Sequence, residues 1–114
     1  MYRTDTIAAS AADWLRDGLV SKALDADLRA DLATEDRQNG RIYGLRDVYI
    51  MLYEGTWPRT GAERDELCRR SGVNARTLYQ WRRDVLLVVA YAVVHAQLLQ
   101  VVTNAVTNAD PEEP

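Results

Sequence analysis

Apolar residues recur along this chain at helical rather than strand intervals. Leu24, Leu28 and Leu32 are spaced by four, and Leu45, Val48, Tyr49, Leu52 and Tyr53 follow i, i+3, i+4, i+7 and i+8. That is the period of helices docked by one stripe on a core. Ser21 stands ahead of the first run as a helix start. Ser10, with Asp13 three residues on, offers another start, with Trp14 and Leu15 facing inward and Gly18 ending the helix. Residues 34–40 (TEDRQNG) read as a polar loop closing on a turn-prone Asn-Gly pair. Residues 41–43 make at most one short strand, and Gly55 and Pro58 stop the helix that begins at Leu45. No alternating run is long enough for a sheet. The pattern predicts an all-α fold of about five helices in a single compact domain. Within it, residues 1–58 are an N-terminal helical scaffold, 59–83 a distinct pair of short helices, and 84–114 an apolar helix with an acidic tail.

The pair of short helices has a particular spacing. In AERDELCRRSGVNARTLYQWRR, residues 62–83, a first helix is expected from Glu63 to Ser71 with Leu67 and Cys68 facing its partner. Gly72 then stands where the chain needs a positive φ, Val73 plugs the angle, and Asn74 caps a second helix over residues 75–83. Leu78 and Trp81 point back to the core. The opposite face presents Asn74, Arg76, Tyr79, Gln80 and Arg83. This is the spacing of a helix-turn-helix, whose second helix enters the DNA major groove.

Charge agrees with that pattern. The chain carries a net −3, yet residues 59–83 hold seven Arg against three acidic residues, a local +4. The segments on either side are both acidic. A basic island on an acidic protein is the electrostatic footprint of a nucleic-acid site. Arg and Gln can pair bidentately with guanine and adenine edges, so Asn74, Arg76, Tyr79, Gln80 and Arg83 are the candidate base contacts. Arg59, Arg69, Arg70, Thr77 and Arg82 are the candidate phosphate contacts.

The stretch SGVNARTLYQWRRDVLL resembles the recognition-helix region of TetR-type regulators, through its Gly-Val and Thr-Leu-Tyr pattern. It is equally similar to helix-turn-helix segments of transposase accessory proteins and phage small terminase subunits. The resemblance covers about twenty-two residues and belongs to the helix-turn-helix superfamily, not to one family. It implies binding to double-stranded DNA. A TetR-type protein has a large ligand-binding domain after this motif, whereas some thirty residues follow here, so no small-molecule ligand is expected. Residues 40–52 also resemble, over about a dozen positions, the wing-to-helix segment of MerR-type regulators.

Asp84 offers a cap for a further helix running to Asn108, whose first ten residues are all apolar. From His95 a polar stripe of Gln97, Gln100, Asn104 and Asn108 appears. Such a helix should be buried at its start and partly exposed at its end. Its uninterrupted apolar run is half the roughly 20 residues of a membrane span, so the helix is expected at a subunit interface formed by Leu86, Val89, Val93 and Leu98.

Other chemistry has little support in the chain. A single Cys forms no internal disulfide, and Asp25, Asp27 and Asp31 without a nearby His read as a solvated helix face rather than a metal site. No nucleophile-base pair, carboxylate pair or phosphate loop is present, so no enzyme activity, cofactor or metal is expected. The N-terminus lacks a secretory pattern, which leaves a cytoplasmic location as the expectation. The function expected is that of a small homodimeric transcriptional regulator, a repressor in type. A DNA-packaging small terminase subunit and a protein-binding adaptor are the alternatives.

Overall fold

A computed structural model describes residues 2–109, with side chains over 5–107. The described chain is all-α: α1 (Tyr2–Arg16), α2 (Lys22–Gln38), α3 (Leu45–Glu54), α4 (Gly61–Ser71) and α5 (Ala75–Ala109). The acidic tail expected after Asn108 begins at Asp110, outside the described residues. Helix α5 is the spine. Helices α1 and α3 pack on its N-terminal half, α2 packs on α3, and α4 closes against its first turns.

The core follows from the predicted stripes. Leu28 and Leu32 of α2, Val48 and Tyr49 of α3, and Leu78, Val85, Leu86, Val89 and Val93 of α5 are all buried. Small residues on α1, Ala8 and Ala11, are buried too, and their size lets that helix lie close along α5. Tyr49 is fully buried, so its hydroxyl needs a partner. It donates to Asp25 Oδ1 at 2.7 Å. Burial and the adjacent carboxylate both push the Tyr49 phenol above its ordinary value, which keeps it a donor. Arg29 Nε completes the group, bonding both Asp25 oxygens at 3.0 and 3.1 Å with its guanidinium over Tyr53. Asp25 is therefore a half-buried strut between α2 and α3, and not part of a solvated face.

Several element boundaries differ from the sequence expectation. Helix α1 extends from Tyr2 to Arg16, so Ser10 lies inside it and caps nothing. Ser21 does cap α2, its Oγ accepting from Leu24 N–H at 3.1 Å. The polar stretch 34–40 is mostly helix, because α2 continues to Gln38, and residues 41–43 form no strand.

The cause of both changes around residue 40 is Asp36, a carboxylate only 6% exposed. The N-cap of helix α3 is Gly44, which has no side chain to serve as a cap. Asp36 supplies it from the preceding helix: Oδ1 accepts from Leu45 N–H at 2.9 Å and Oδ2 from Arg46 N–H at 3.0 Å. Arg41 Nε adds a third bond at 2.9 Å, and the Asp36 carbonyl accepts from Arg41 N–H at 2.8 Å. Asp47 answers from within α3 by accepting from Gly44 N–H at 2.9 Å. Burial by itself would raise the Asp36 carboxyl, but the Arg46 and Leu45 amides and the Arg41 guanidinium outweigh it and hold the group below its ordinary value. A Cβ at Gly44 would run into that carboxylate.

Helix α5 is continuous through Asp84, where a new helix was expected to begin. No Gly or Pro interrupts residues 81–90, so nothing ends the first segment and Asp84 is an exposed mid-helix residue. The domain is accordingly elongated, 67 × 29 × 25 Å, with the C-terminal turns of α5 extending beyond the rest. By length and composition Ala75–Thr107 would suit a membrane-crossing helix. Its first half, however, is occupied by the fold's own core.

Asp36→Asn should lower stability by about 1–3 kcal/mol at neutral pH, because the amide accepts fewer of the bonds made to the carboxylate. The wild-type advantage comes from a depressed carboxyl, so it is fully present above the unfolded value near 4. It is lost as pH falls through the lower folded value. Denaturant unfolding of both proteins at pH 7 and near pH 2 should show the gap closing in acid. Gly44→Ala should destabilise by a similar amount at neutral pH.

Candidate nucleic-acid interface

Local chemistry builds the helix pair as its spacing predicts. Thr60 caps α4, its Oγ accepting from Glu63 N–H at 3.1 Å, and Glu63 reaches back to accept from Arg59 N–H at 2.9 Å. Helix α4 therefore starts at Gly61, two residues before the expected Glu63. It ends at Gly72, which sits in the left-handed region at φ 74° while its N–H donates to the Cys68 carbonyl at 2.9 Å. A β-carbon is costly in that conformation. Three residues later α5 begins, with Asn74 Oδ1 accepting from Thr77 N–H at 2.8 Å. Leu67 and Leu78 are buried at the junction, with Cys68, Val73 and Trp81 packed partly around them.

The predicted base-contacting residues separate into two groups. Arg76, Gln80 and Arg83 are exposed and, at i, i+4 and i+7, share one face of α5. Asn74 is exposed, but its carbonyl oxygen is committed to the cap, which leaves the amide nitrogen. Tyr79 is 47% exposed and is held by one ring contact. Its ring and that of Trp57 meet edge to face with centres 5.9 Å apart. Tyr79 thus fastens the loop before α4 to α5.

The predicted phosphate contacts separate in a similar way. Arg59 and Arg70 are exposed, and, like Arg76, neither has a carboxylate within ion-pair distance among the described residues. Arg69 is paired with Glu66 along α4, and Arg64 with Asp65. Arg82 lies partly buried with its guanidinium 5.8 Å from the Trp57 ring centre, and Thr77 is half-buried. Arg82 and Arg83 border a groove shared with Asp5, Asp13 and Arg16 of α1, and Arg83 approaches Asp5 at 4.0 Å. Both partners are exposed, so that contact holds Arg83 only weakly. The uncompensated positive charge of the segment is thereby carried by Arg59, Arg70, Arg76 and Arg82, with Arg83 only weakly paired. Arg70 and Arg76 flank the turn, and Arg76 lies in the first turn of α5, whose N-terminal amides add positive potential.

Sequence reasoning missed two supports of this face. Trp57 was not singled out, yet it contacts both Tyr79 and Arg82. Arg41, from the loop organised by Asp36, lies 5.4 Å from the Trp81 ring centre and ties that loop to α5. Neither pairing has a fixed sequence spacing that would reveal it.

The expected subunit-interface residues need correction. Leu86, Val89 and Val93 are 0%, 0% and 3% exposed within a single chain, and have no surface to offer a second one. They lie on the face of α5 that packs against α1 and α3. Leu98, at 58% exposed, is the member of that set that faces outward.

No family model, curated protein or solved structure matches this chain.

Asn74→Ala should cost about 1 kcal/mol through the lost cap, whereas Asn74→Asp, which keeps an acceptor at the same place, should retain stability. Thermal unfolding of the two variants separates the capping role of this residue from any other.

Proposed function

We propose that this protein is a small sequence-specific DNA-binding regulator of transcription, acting as a homo-oligomer in the cytoplasm. The observation that carries the reading is the exposed line Arg76–Gln80–Arg83 on the helix that follows a Gly72 turn. Arg59, before α4, and Arg70, near its end, are exposed and have no carboxylate within ion-pair distance among the described residues. Arg76 and Arg83 have the donors to read guanine O6 and N7, and Gln80 those to read adenine. Arg59, Arg70 and Arg82 are suited to phosphates, with the α5 N-terminus set against the backbone. Tyr79 and Asn74 contribute by holding the helix and its start in place. The simplest action for such a regulator is steric. Occupied operator DNA excludes polymerase, as for a repressor.

A second reading, a small terminase subunit that recognises DNA for packaging, is favoured by the breadth of the outer apolar face of α5. Besides Leu98 and Val101, that face carries Leu99, Val102 and Val106, all more than half exposed. A face so wide suits a subunit with two neighbours, as in a ring.

Arg76→Ala should weaken binding to a selected duplex by about 1–3 kcal/mol, five- to 150-fold, and relax preference at one base position. Arg70→Ala should weaken binding evenly across sequences and reduce the salt slope by about one. Fluorescence anisotropy between 50 and 200 mM salt measures both. Binding unchanged by Arg76→Ala and Arg83→Ala would exclude this face.

A further inference from the structure

The apolar stripe of α5 changes sides near Val94. Up to Val93 the buried positions are Val85, Leu86, Val89, Ala90 and Val93, facing α1 and α3. Continuing that face by helical steps leads to Gln97, Gln100, Asn104 and Thr107, all exposed, with Gln100 Nε2 donating to Asn104 Oδ1 at 3.3 Å. The large apolar residues appear instead on the outer side. Leu87, Tyr91, Val94, Leu98, Val101 and Ala105 follow alternating steps of four and three. Tyr91 is 73% exposed and Val101 62%.

We propose that this outer face is a self-association surface, covered by the same face of another copy of the chain. Steps of four and three are the spacing that keeps two α-helices in register along a common seam. Residues 85–107 contain no Asp, Glu, Lys or Arg, so along α5 itself a second copy meets no like charge. The carboxylates nearby, Asp27 and Asp31 of α2, lie to one side, across the groove bordered by Tyr91 and Leu99. Of the seam, Tyr91, Val94, Leu98 and Val101 are 73%, 44%, 58% and 62% exposed, a continuous apolar strip that is bare in the single chain. Lipid fits less well. Residues 94–109, the part outside the core, rise about 24 Å, short of the ~30 Å hydrocarbon layer. A span of about 20 residues ending at residue 109 would reach back to residue 90 and draw the buried Ala90 and Val93 out of the core. The proposal supplies a surface for the oligomer invoked under the proposed function, and is independent of DNA binding.

Sedimentation equilibrium of the full chain, without DNA or lipid, over about 1–100 μM tests it. The wild-type chain should sediment at twice its 12.9 kDa mass or more. Leu98→Glu and Val101→Glu, each altering a side chain exposed in the single chain, should weaken association at least tenfold. The near-ultraviolet circular dichroism of the core should be kept. Thr103→Glu, on the opposite side of the helix, should leave association intact. A wild-type monomer throughout the range would overturn the proposal, and its binding to phosphatidylcholine vesicles would give the face to lipid. Association unaffected by Leu98→Glu, or lost equally in Thr103→Glu, would also overturn it. A failure of DNA binding alone would leave this outcome unchanged.

Discussion

The burial of one face of α5 sets the position of every other element. Leu78, Val85, Leu86, Val89 and Val93 lie along that face, each at 3% exposure or less. Removing side chains of this kind from water contributes about 1.5–3 kcal/mol apiece, so together they rival the net stability of a domain this small. Helices α1 and α3 exist as packed elements because this face needs covering. The fold's own core ends near Val93 because the face beyond it turns polar. The outer side of the same helix is thereby left for other purposes, first for Arg76, Gln80 and Arg83, then for Leu98 and Val101.

A long helix bearing a functional face needs its N-terminal turns held firmly, and polar chemistry does this. Asp36 fixes the start of α3 and draws in Arg41, whose guanidinium lies against Trp81. Trp57 contacts Tyr79 and Arg82 from another direction. Asn74 and Thr60 close the two helix starts around the turn. Arg76 and Gln80 are consequently presented from a supported helix rather than a loose loop, which limits the entropy lost when such residues engage a partner.

Much of this was legible in the sequence. The four-residue spacing of Leu24, Leu28 and Leu32, the Ser21 and Asn74 caps, and Gly72 at its turn are local signals, and each has its expected place. What was not legible depends on contacts distant in sequence. Asp36 reads as one acidic residue in a polar loop, and only the approach of Gly44 and Arg41 makes it a buried cap. Asp25 reads as solvated until Tyr49, twenty-four positions later, donates to it. Asp84 has the chemistry of a helix start, but a cap acts only where a helix would otherwise be unfinished, and α5 is unbroken there. Leu86, Val89 and Val93 are apolar and were expected to face a second chain; composition alone does not tell which surface covers them. The change of side at Val94 is present in the sequence, but it has meaning only once the inner face is known.

The proposed nucleic-acid contact lies on the outer face of α5, around residues 74–83, while the inner face holds the fold. Backbone amide shifts followed by nuclear magnetic resonance, as a mixed-sequence DNA duplex is added, test this most directly. Shifts should concentrate at residues 74–83 and at Arg59 and Arg70, with the amides of α2 unmoved. Shifts centred on α1 or α2, or none at low salt, would contradict it.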